Sequence, residues 1–201
     1  MPELLTPLWL IGLLGLTGYV LGSVAFGPLV ARAMGLGDLR GIGSGNIGAT
    51  NVLRTGNKRA AALTLVLDGA KGALAVGLAF AIAGRDAAQA AGLAAFLGHL
   101  FPVFLAFRGG KGVATWLGVA LALAWPAGLA ACALWAAVFA FTRISSLSAL
   151  VAAGLAPLVA LGAGQGDAMV LLLAMAALIF WSHRSNISRL IAGTEPRFTR
   201  R

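Results

Sequence analysis

Long stretches without a charged side chain restrict the folds that are open to this chain. No Asp, Glu, Lys or Arg occurs over residues 8–31, 112–142 or 144–166. A water-soluble domain of 201 residues cannot hide the apolar surface of a sequence that is 60% hydrophobic and 10% charged. Apolar stretches of roughly 18–25 residues cross a bilayer as helices, because each helical residue adds about 1.5 Å. The sequence therefore predicts an all-α polytopic membrane protein.

Seven membrane-spanning helices with a periplasmic N-terminus and a cytoplasmic C-terminus are predicted from hydropathy and charge. Residues 113–142 are open to two interpretations, one long helix kinked at Pro126 or two short helices that turn at WPAG. With seven spans the outer side receives few charged residues, namely Glu3, Arg85, Asp86 and Asp167. With six spans the C-terminal arginines move outside, so the positive-inside rule favours seven. The predicted spans are residues 8–32, 60–83, 87–107, 113–126, 127–142, 146–163 and 167–183.

This topology places three polar segments, residues 34–59, 107–112 and 183–201, on the cytoplasmic side. The net charge of +9 then reflects membrane orientation and attraction to anionic lipid or substrate, and no nucleic-acid partner is predicted. The single cysteine, Cys132, has no intramolecular disulfide partner, and no Cys/His spacing predicts a metal site. The chain is expected to carry its chemistry on the cytoplasmic face of one transmembrane domain that covers residues 1–201.

The first polar segment contains the sequence GSGNIGATNVLRT. Gly43, Gly45 and Gly48 match G-x-G-x-x-G, but a dinucleotide site needs a preceding strand, and membrane spans flank this segment. The glycines still allow backbone N–H groups to approach an anion closely. The alternative is a flexible loop that is rich in glycine. The side chains that favour the anion-binding interpretation are Ser44, Asn46, Thr50, Asn51 and Arg54, whose planar charge suits phosphate.

The second polar segment leads directly into a predicted helix. Backbone amides at a helix N-terminus together with Lys111 form an anion site, although the Walker A pattern is absent. In the spans before it, Asp68 and Lys71 are three residues apart and share a helix face. A structural ion pair and a substrate contact both remain open for these two, and His99 is as consistent with packing as with catalysis. The segment itself consists of Arg108, Gly109, Gly110, Lys111 and Gly112.

The third polar segment, HRSNISRLIAGTE, follows the last span. His183 and Asn186 are three residues apart and lie on one face of a helix. A histidine at the cytoplasmic end of a span can act as a base, as an acid or as a hydrogen-bond donor to phosphate. Glu195 follows, and the basic residues Arg197, Arg200 and Arg201 are predicted to anchor the topology.

Together, GSGNIGATNVLRT, DGAKG followed by GHLFPVFLAFRGGKGVAT, and HRSNISRLIAGTE resemble the bacterial membrane glycerol-3-phosphate acyltransferases that use acyl phosphate, the PlsY family. The resemblance spans nearly the whole chain. It implies a seven-helix inner-membrane enzyme that moves a fatty acyl group from acyl phosphate to the 1-hydroxyl of sn-glycerol 3-phosphate. The products are lysophosphatidic acid and phosphate, at the start of phospholipid biosynthesis, and no cofactor or metal is required.

The resemblance also implies roles for individual residues. The catalytic set is Ser44, Arg54, Lys111, His183 and Asn186. The substrate-binding set is Gly43, Gly45, Asn46, Gly48, Thr50, Asn51, Arg108, Gly109, Gly110, Gly112 and Glu195. Because acyl phosphate is already activated, direct transfer without an acyl-enzyme is expected, with either His183 or a substrate phosphate oxygen as the base.

Two other function classes are weighed against this one. A CDP-alcohol phosphatidyltransferase needs several Asp residues to hold divalent metals, and this chain has no such cluster. A membrane transporter of a small organic phosphate would suit the basic residues, but the polar residues gather at one surface and no internal repeat is apparent.

Overall fold

Helices form all of the regular structure within residues 5–198, the part of the chain that the computed structural model describes. Glu3, Arg200 and Arg201, which the predicted topology assigns to sides of the membrane, lie outside the described residues. Two short 3-10 turns cover Leu39–Gly41 and Val103–Leu105. The α-helices are α1 Leu8–Ser23, α2 Phe26–Ala33, α3 Ala49–Leu53, α4 Lys58–Ala83, α5 Arg85–Leu100, α6 Val113–Leu123, α7 Trp125–Thr142, α8 Ser145–Gly162, α9 Gly166–Ser182 and α10 Arg184–Ile191.

The long apolar helices confirm the prediction of an all-helical membrane protein. Five single stretches are candidate spans, and the helical pair α9 and α10 is a sixth, bent by 65° between its two helices. Helix α6 is apolar but has only 11 residues, so the count of seven spans stays a prediction. The five stretches long and apolar enough to cross a bilayer are Leu8–Ala33, Lys58–Ala83, Arg85–Leu105, Trp125–Thr142 and Ser145–Gly162.

The predicted span over residues 8–32 is interrupted between α1 and α2. In a continuous helix the ring of Pro28 would press on the carbonyl of Val24 and would offer it no N–H donor. The break places Pro28 in the first turn of α2, where a helix tolerates proline. Lys71 Nζ donates to the Val24 carbonyl oxygen at 2.6 Å and replaces the missing donor. Proline chemistry therefore sets this break, which hydropathy does not reveal.

Two helices, rather than one kinked helix, form residues 113–142. Helix α6 ends at Leu123 and α7 begins at Trp125, so the predicted boundary between 126 and 127 is wrong. Pro126 occupies the first turn of α7, where the lost N–H would have no helical partner. The predicted turn comes too late because WPAG has the composition of a loop, whereas Trp125 and Pro126 begin the next helix.

The predicted helix over 87–107 also ends early. Helix α5 stops at Leu100, and Val103–Leu105 forms a 3-10 turn. Pro102 explains the stop, because the residue before a proline disfavours the helical conformation. The chain after α5 is therefore free to turn back toward the helix end.

Small residues allow close helix packing in the compact unit that contains residues 5–123. Helix α1 packs on α5, and α4 packs on α5 and α6. A Cβ atom at Gly18 would lie 2.5 Å from the carbonyl oxygen of Ala91, and one at Gly22 would overlap that of Ala95. Between α4 and α6, a Cβ atom at Gly118 would overlap the Gly69 carbonyl. Backbones in direct contact are a common basis of helix association in lipid.

We expect Gly22→Ala to destabilise the protein by about 1–3 kcal/mol, the range typical of overpacking. The new methyl group would meet the backbone of α5, which has no side-chain rotamer to move. Gly15→Ala is the matched control on α1, since its methyl group would meet no other part of the protein within 4 Å and alanine favours the helix by about 0.5–1 kcal/mol. Thermal unfolding in detergent measures both variants. Equal unfolding temperatures would contradict the packing described for α1 and α5.

Residues 124–198 lie in a second compact unit. Helix α8 packs between α7 and α9, and its buried face consists largely of alanine. After α10 the chain returns to the end of α7, where Phe198 N–H donates to the Arg143 carbonyl at 2.9 Å. The Phe198 ring meets Phe139 edge-on at 5.6 Å. These contacts hold the segment that follows α10 in the chain against the end of α7.

Candidate active site

The first polar segment is organised around the buried side chain of Asn51, which is 1% exposed. Its Oδ1 atom accepts from the Ser44 backbone N–H at 3.1 Å and lies 3.5 Å from Arg54 Nη1. Its Nδ2 atom donates to the Leu39 carbonyl at 2.8 Å. One carboxamide therefore draws Ser44 and Arg54 to the same place. Asn51 itself faces these protein groups, so its predicted contact with substrate remains untested.

Glycine conformation and asparagine hydrogen bonds order the rest of this segment. Gly43 and Gly45 have φ values of 54° and 67°, which favour glycine. A Cβ atom at Gly43 would lie 2.6 Å from Arg54 Cδ, so the arginine packs directly over this glycine. The N–H of Gly45 donates to the Ile42 carbonyl, and that of Gly48 donates to Asn46 Oδ1, both at 2.9 Å. These two N–H groups hold the loop itself, so they are not the amides that would bind an anion.

The second polar segment turns back onto the end of α5. Ala106 and Phe107 adopt left-handed conformations with φ of 50° and 61°, which are uncommon without glycine. After this reversal Gly109 N–H donates to the Leu100 carbonyl and Gly110 N–H to the His99 carbonyl, both at 3.1 Å. These bonds cap the last carbonyls of α5, which have no partner within the helix. The two glycine amides predicted to bind an anion thus serve the fold.

Lys111 stands immediately before the N-terminus of α6. Gly112 follows with φ of 80°, and a Cβ atom there would overlap the Phe96 ring. Helix α6 then begins at Val113, and its first amides have no partner within the helix. Lys111 therefore lies two residues before the positive end of this helix, the arrangement from which the sequence predicts an anion site.

Arg40 joins the first two polar segments. Its Nη2 atom donates to the Arg108 carbonyl oxygen at 2.8 Å. The bond spans 68 residues of sequence and brings the loop around Ser44 to the segment that carries Lys111. Sequence reasoning missed this role, and no motif spacing in the chain indicates it.

Asp68 and Lys71 form a buried ion pair, with Nζ 2.8 Å from Oδ1. The pairing on one face of α4 agrees with their spacing of three residues. His99 Nδ1 lies 3.7 Å from the same carboxylate oxygen. All three side chains are at most 5% exposed. They form a buried polar cluster beneath the turn that contains Gly109 and Gly110.

In the second unit, His183 lies at the bend between α9 and α10 and is 3% exposed. Its Nδ1 atom is 2.8 Å from the Ile179 carbonyl oxygen. Because a carbonyl only accepts, we assign the proton of the neutral ring to Nδ1. Nε2 is then the nitrogen with the lone pair, which is the requirement for a base.

Glu195 holds Asn186 in place. Its Oε1 atom accepts hydrogen bonds from Asn186 Nδ2 at 2.6 Å and from Ser146 Oγ at 2.7 Å. The other oxygen, Oε2, pairs with Arg189 Nε at 2.6 Å. Glu195 is predicted from the family resemblance to contact substrate, yet both oxygens face protein side chains, so the geometry favours a role in holding Asn186. The Ser146 partner could not be found from sequence because 49 residues separate it from Glu195.

The pKa of the Glu195 carboxyl lies below its ordinary value of 4.5. Burial alone would raise this pKa, but hydrogen bonds from Ser146, Asn186 and Arg189, with the Arg189 charge, outweigh burial and lower it. A lowered pKa means that the carboxylate stabilises the folded state fully above pH 4.5. That contribution is lost as the pH falls through the lowered value.

We expect acidification to loosen residues 183–198. Hydrogen–deuterium exchange, corrected for intrinsic rates, is compared at about pH 7 and at an acidic pH at which the Glu195 carboxyl is protonated. Protection of this segment should fall about tenfold, since hydrogen bonds to charged groups contribute about 1.5–3 kcal/mol. Glu195→Gln is the control, because its segment should be loose already at neutral pH. A segment that is equally protected at both pH values in the wild type would refute the role of this carboxylate.

Within residues 5–198, no three or more His, Cys, Asp or Glu side chains are grouped so as to hold a metal ion. Asp38 caps the Leu39–Gly41 turn by accepting from the Arg40 N–H at 2.9 Å. Asp86 accepts from the backbone N–H groups of Thr6 and Leu5 at 2.8 and 3.0 Å. These carboxylates therefore have structural partners.

The helices and the polar segments between them define a polytopic, all-helical integral membrane protein. The model of the family described as glycerol-3-phosphate acyltransferase matches residues 12–193. The glycerol-3-phosphate acyltransferase of Jannaschia sp. (strain CCS1) is 64% identical over 98% of this chain and 97% of its own length. That of Dinoroseobacter shibae is 60% identical, with the same coverage of both chains.

Solved structures give the same result. The crystal structure of PlsY (YgiH), an integral membrane glycerol 3-phosphate acyltransferase, in its glycerol 3-phosphate form superposes with a TM-score of 0.89 at 40% identity, covering 94% of this chain and 96% of that one. Its lysophosphatidic acid form superposes with a TM-score of 0.86 at 37% identity, covering 94% and 95%. The chain belongs to the glycerol-3-phosphate acyltransferase family.

Proposed function

We propose that this chain transfers the acyl group of acyl phosphate to the 1-hydroxyl of sn-glycerol 3-phosphate and releases lysophosphatidic acid and phosphate. The observation that carries the proposal is the bond from Arg40 to the Arg108 carbonyl. It brings two basic, glycine-rich segments together, and each of the two substrates carries a phosphate. The family match over residues 12–193 supports acyl transfer by the chain as one domain.

The phosphate groups bind to side chains and to the start of α6. Arg54 and Lys111 supply fixed positive charge, and the first amides of α6 supply oriented donors. Ser44 and Thr50 supply hydroxyl donors, and Asn46 and Asn51 shape the loop that presents them. The glycines allow backbone segments to approach one another and the ligand closely. These are Gly43, Gly45, Gly48, Gly109, Gly110 and Gly112, with Arg108 between the two segments.

Direct transfer is the route that the geometry favours. The Ser44 Oγ atom lies 3.4 Å from Asn51 Oδ1, and a carboxamide oxygen is not a base that activates a serine nucleophile. Acyl phosphate is a mixed anhydride with a good leaving group, so no activated serine is needed. The glycerol O1 atom forms the new bond to the acyl carbon, and the bond from that carbon to the phosphate oxygen breaks. Phosphate leaves with the electron pair.

The hydroxyl proton leaves O1 as the new bond forms. His183 Nε2 is one acceptor, because Nδ1 is committed to the Ile179 carbonyl. A substrate phosphate oxygen is the other acceptor. Lys111 and Arg54 stabilise the negative charge that develops on the transferring group and on the leaving phosphate. Asn186, held by Glu195, belongs with His183 to the catalytic set that the family pattern predicts.

The enzyme spans the inner membrane seven times with its site toward the cytoplasm. In this arrangement α6 is the short span, and Arg85 and Asp86 lie on the outer side. The positive-inside rule supports it. In a Cys132→Ala background, a cysteine at exposed Gly35 should react with membrane-impermeant reagent only after cells are opened. One at exposed Gly164 should react in cells with a permeabilised outer membrane, and the reverse result would exclude this topology.

Purified protein tests the reaction itself. With acyl phosphate, glycerol 3-phosphate and a chelator, we expect lysophosphatidic acid and phosphate in equal amounts. Rapid quenching with radiolabelled acyl phosphate alone should leave the protein unlabelled, and an acylated serine would overturn direct transfer. Uptake of glycerol 3-phosphate into vesicles without an acyl donor would instead favour a transporter.

A further inference from the structure

Three buried polar side chains beneath the second segment have no part in the proposed mechanism. Asp68, Lys71 and His99 are 2%, 5% and 5% exposed. Charged groups inside a span are costly and persist where they pair or serve function. Their contacts differ, and the differences separate a purely structural residue from one that acts on the site.

Lys71 satisfies a backbone carbonyl at the break between α1 and α2. Its Nζ atom contacts Asp68 Oδ1 at 2.8 Å and donates to the Val24 carbonyl at 2.6 Å. The centroid of the Phe26 ring lies 5.8 Å from Nζ, on the other side of the break. These partners account for the lysine as the group that satisfies the end of α1.

His99 connects the same carboxylate to the glycine turn. Its Nδ1 atom faces Asp68 Oδ1 at 3.7 Å. Its carbonyl accepts from Gly110 N–H at 3.1 Å. A Cβ atom at Gly110 would overlap His99 Nε2 and lie 3.1 and 3.2 Å from ring atoms Cδ2 and Cε1. The imidazole ring therefore forms the surface on which Gly110 rests, and Asp68 lies at the opposite edge of that ring.

Lys111 is the next residue along the chain. A change in the tilt of the His99 ring would move Gly110 and, with it, the origin of the lysine side chain. Misplacement of a binding group by about 1 Å costs up to about a hundredfold in rate. The three nearest atoms to a Cβ atom added at Gly110 all belong to this ring, so the ring limits how closely the turn approaches α5 at that residue.

We infer that His99, oriented by Asp68, is a positioning residue for the glycerol 3-phosphate site and acts through Gly110 on Lys111. The inference rests on the proposed function, in which Lys111 binds a substrate phosphate. It assigns roles to two buried residues whose function the sequence left open, and it separates them from Lys71.

A double-mutant cycle between Gly110 and His99 tests the contact in the full-length enzyme. Gly110→Ala should raise KM for glycerol 3-phosphate about tenfold or more, because its methyl group collides with the ring. In the His99→Ala background the same change should add no more than about twofold, since the ring is gone. KM for acyl phosphate should change by less than about twofold throughout. Additive effects of the two substitutions would overturn the inference.

Gly109→Ala is the matched control. Its methyl group would overlap the carbonyl oxygens of His99 and Leu100, which are backbone atoms. Its defect should therefore persist undiminished in the His99→Ala background. Relief of the Gly109→Ala defect as well would mean that removal of the ring merely loosens the turn, and would also overturn the inference.

His99→Gln keeps the test decisive if an alanine variant does not fold. This variant should retain the folded yield and should lower kcat/KM for glycerol 3-phosphate about five- to tenfold, with KM for acyl phosphate within about twofold. An unchanged kcat/KM for glycerol 3-phosphate would refute the positioning role. Lys111→Ala, measured in parallel, separates the positioning role from the proposed function. If Lys111→Ala leaves the dependence on glycerol 3-phosphate unchanged, the proposed function fails. If Lys111→Ala changes this dependence but the His99 variants leave it unchanged, only the positioning role fails.

Discussion

Lys111→Ala should lower kcat/KM for glycerol 3-phosphate by about 10²–10³, the loss of about 2.7–4 kcal/mol that follows removal of one electrostatic donor from a reaction site. The residue lies two residues before the start of α6, and in the proposed site its charge and the helix dipole act on the same phosphate. Steady-state kinetics with each substrate varied in turn measures the effect. The fold should be intact, because the neighbouring glycine amides cap α5 without the lysine side chain.

Lys58→Ala is the control for this experiment. Lys58 is exposed at the first residue of α4 and is not among the residues assigned to the site. The substitution removes the same charge from the chain, so its kinetics should match those of the wild type. Lys111→Arg should recover part of the activity, since charge is retained while the geometry of the donor changes. Wild-type kinetics for Lys111→Ala would remove the residue from the phosphate site.

His183→Ala should reduce kcat by about 10²–10⁴, the usual contribution of general acid–base catalysis, and should leave KM for glycerol 3-phosphate within about twofold. The expectation rests on the contact of Nδ1 with the Ile179 carbonyl, which leaves Nε2 as the basic nitrogen. The pH–rate profile should also lose its acidic limb, on which the rate rises as the base loses its proton, because the titrating group is gone. A rise in KM with little change in kcat would assign His183 to phosphate orientation and leave a substrate oxygen as the base.

Arg184→Ala is the neighbouring control. Its guanidinium lies 4.8 Å from the centroid of the Trp181 ring and is exposed. The substitution removes charge next to His183 while leaving the histidine contacts unchanged, so kcat should be near that of the wild type. A loss equal to that of His183→Ala would mean that the bend between α9 and α10, rather than the imidazole, carries the effect.

Hydropathy locates most of the helices well, and the differences have local chemical causes. The predicted start of α4 at residue 60 lies two residues inside the observed start at Lys58, where the Asn57 side chain accepts from Ala60 N–H at 3.0 Å. Helix α10 lies beyond the predicted spans because its residues are polar, although the spacing of His183 and Asn186 predicts a shared helix face. The breaks before Pro28 and Pro126 escape hydropathy because an apolar pattern continues across both, although proline chemistry forbids a continuous backbone hydrogen-bond ladder there.

The candidate site is predictable at the level of residue types and less well at the level of individual atoms. Glycine-rich motifs predict free amides, but Gly45, Gly48, Gly109 and Gly110 use theirs within the fold. Spacing along a helix indicates that Asp68 and Lys71 share a face, and the structure pairs them there because that contact is local. It could not reveal Arg40 as the link between the segments, because that partner is distant in sequence.

The amino-acid sequence by itself determined that the chain enters a membrane, where its long helices lie and which family it belongs to. These properties follow from hydropathy and from residues adjacent along the chain. The tertiary structure alone decided which polar groups are already engaged and which hold others in place. Glu195 with Ser146 and His99 with Asp68 are examples, since each depends on atoms that meet only when distant segments of the chain pack together.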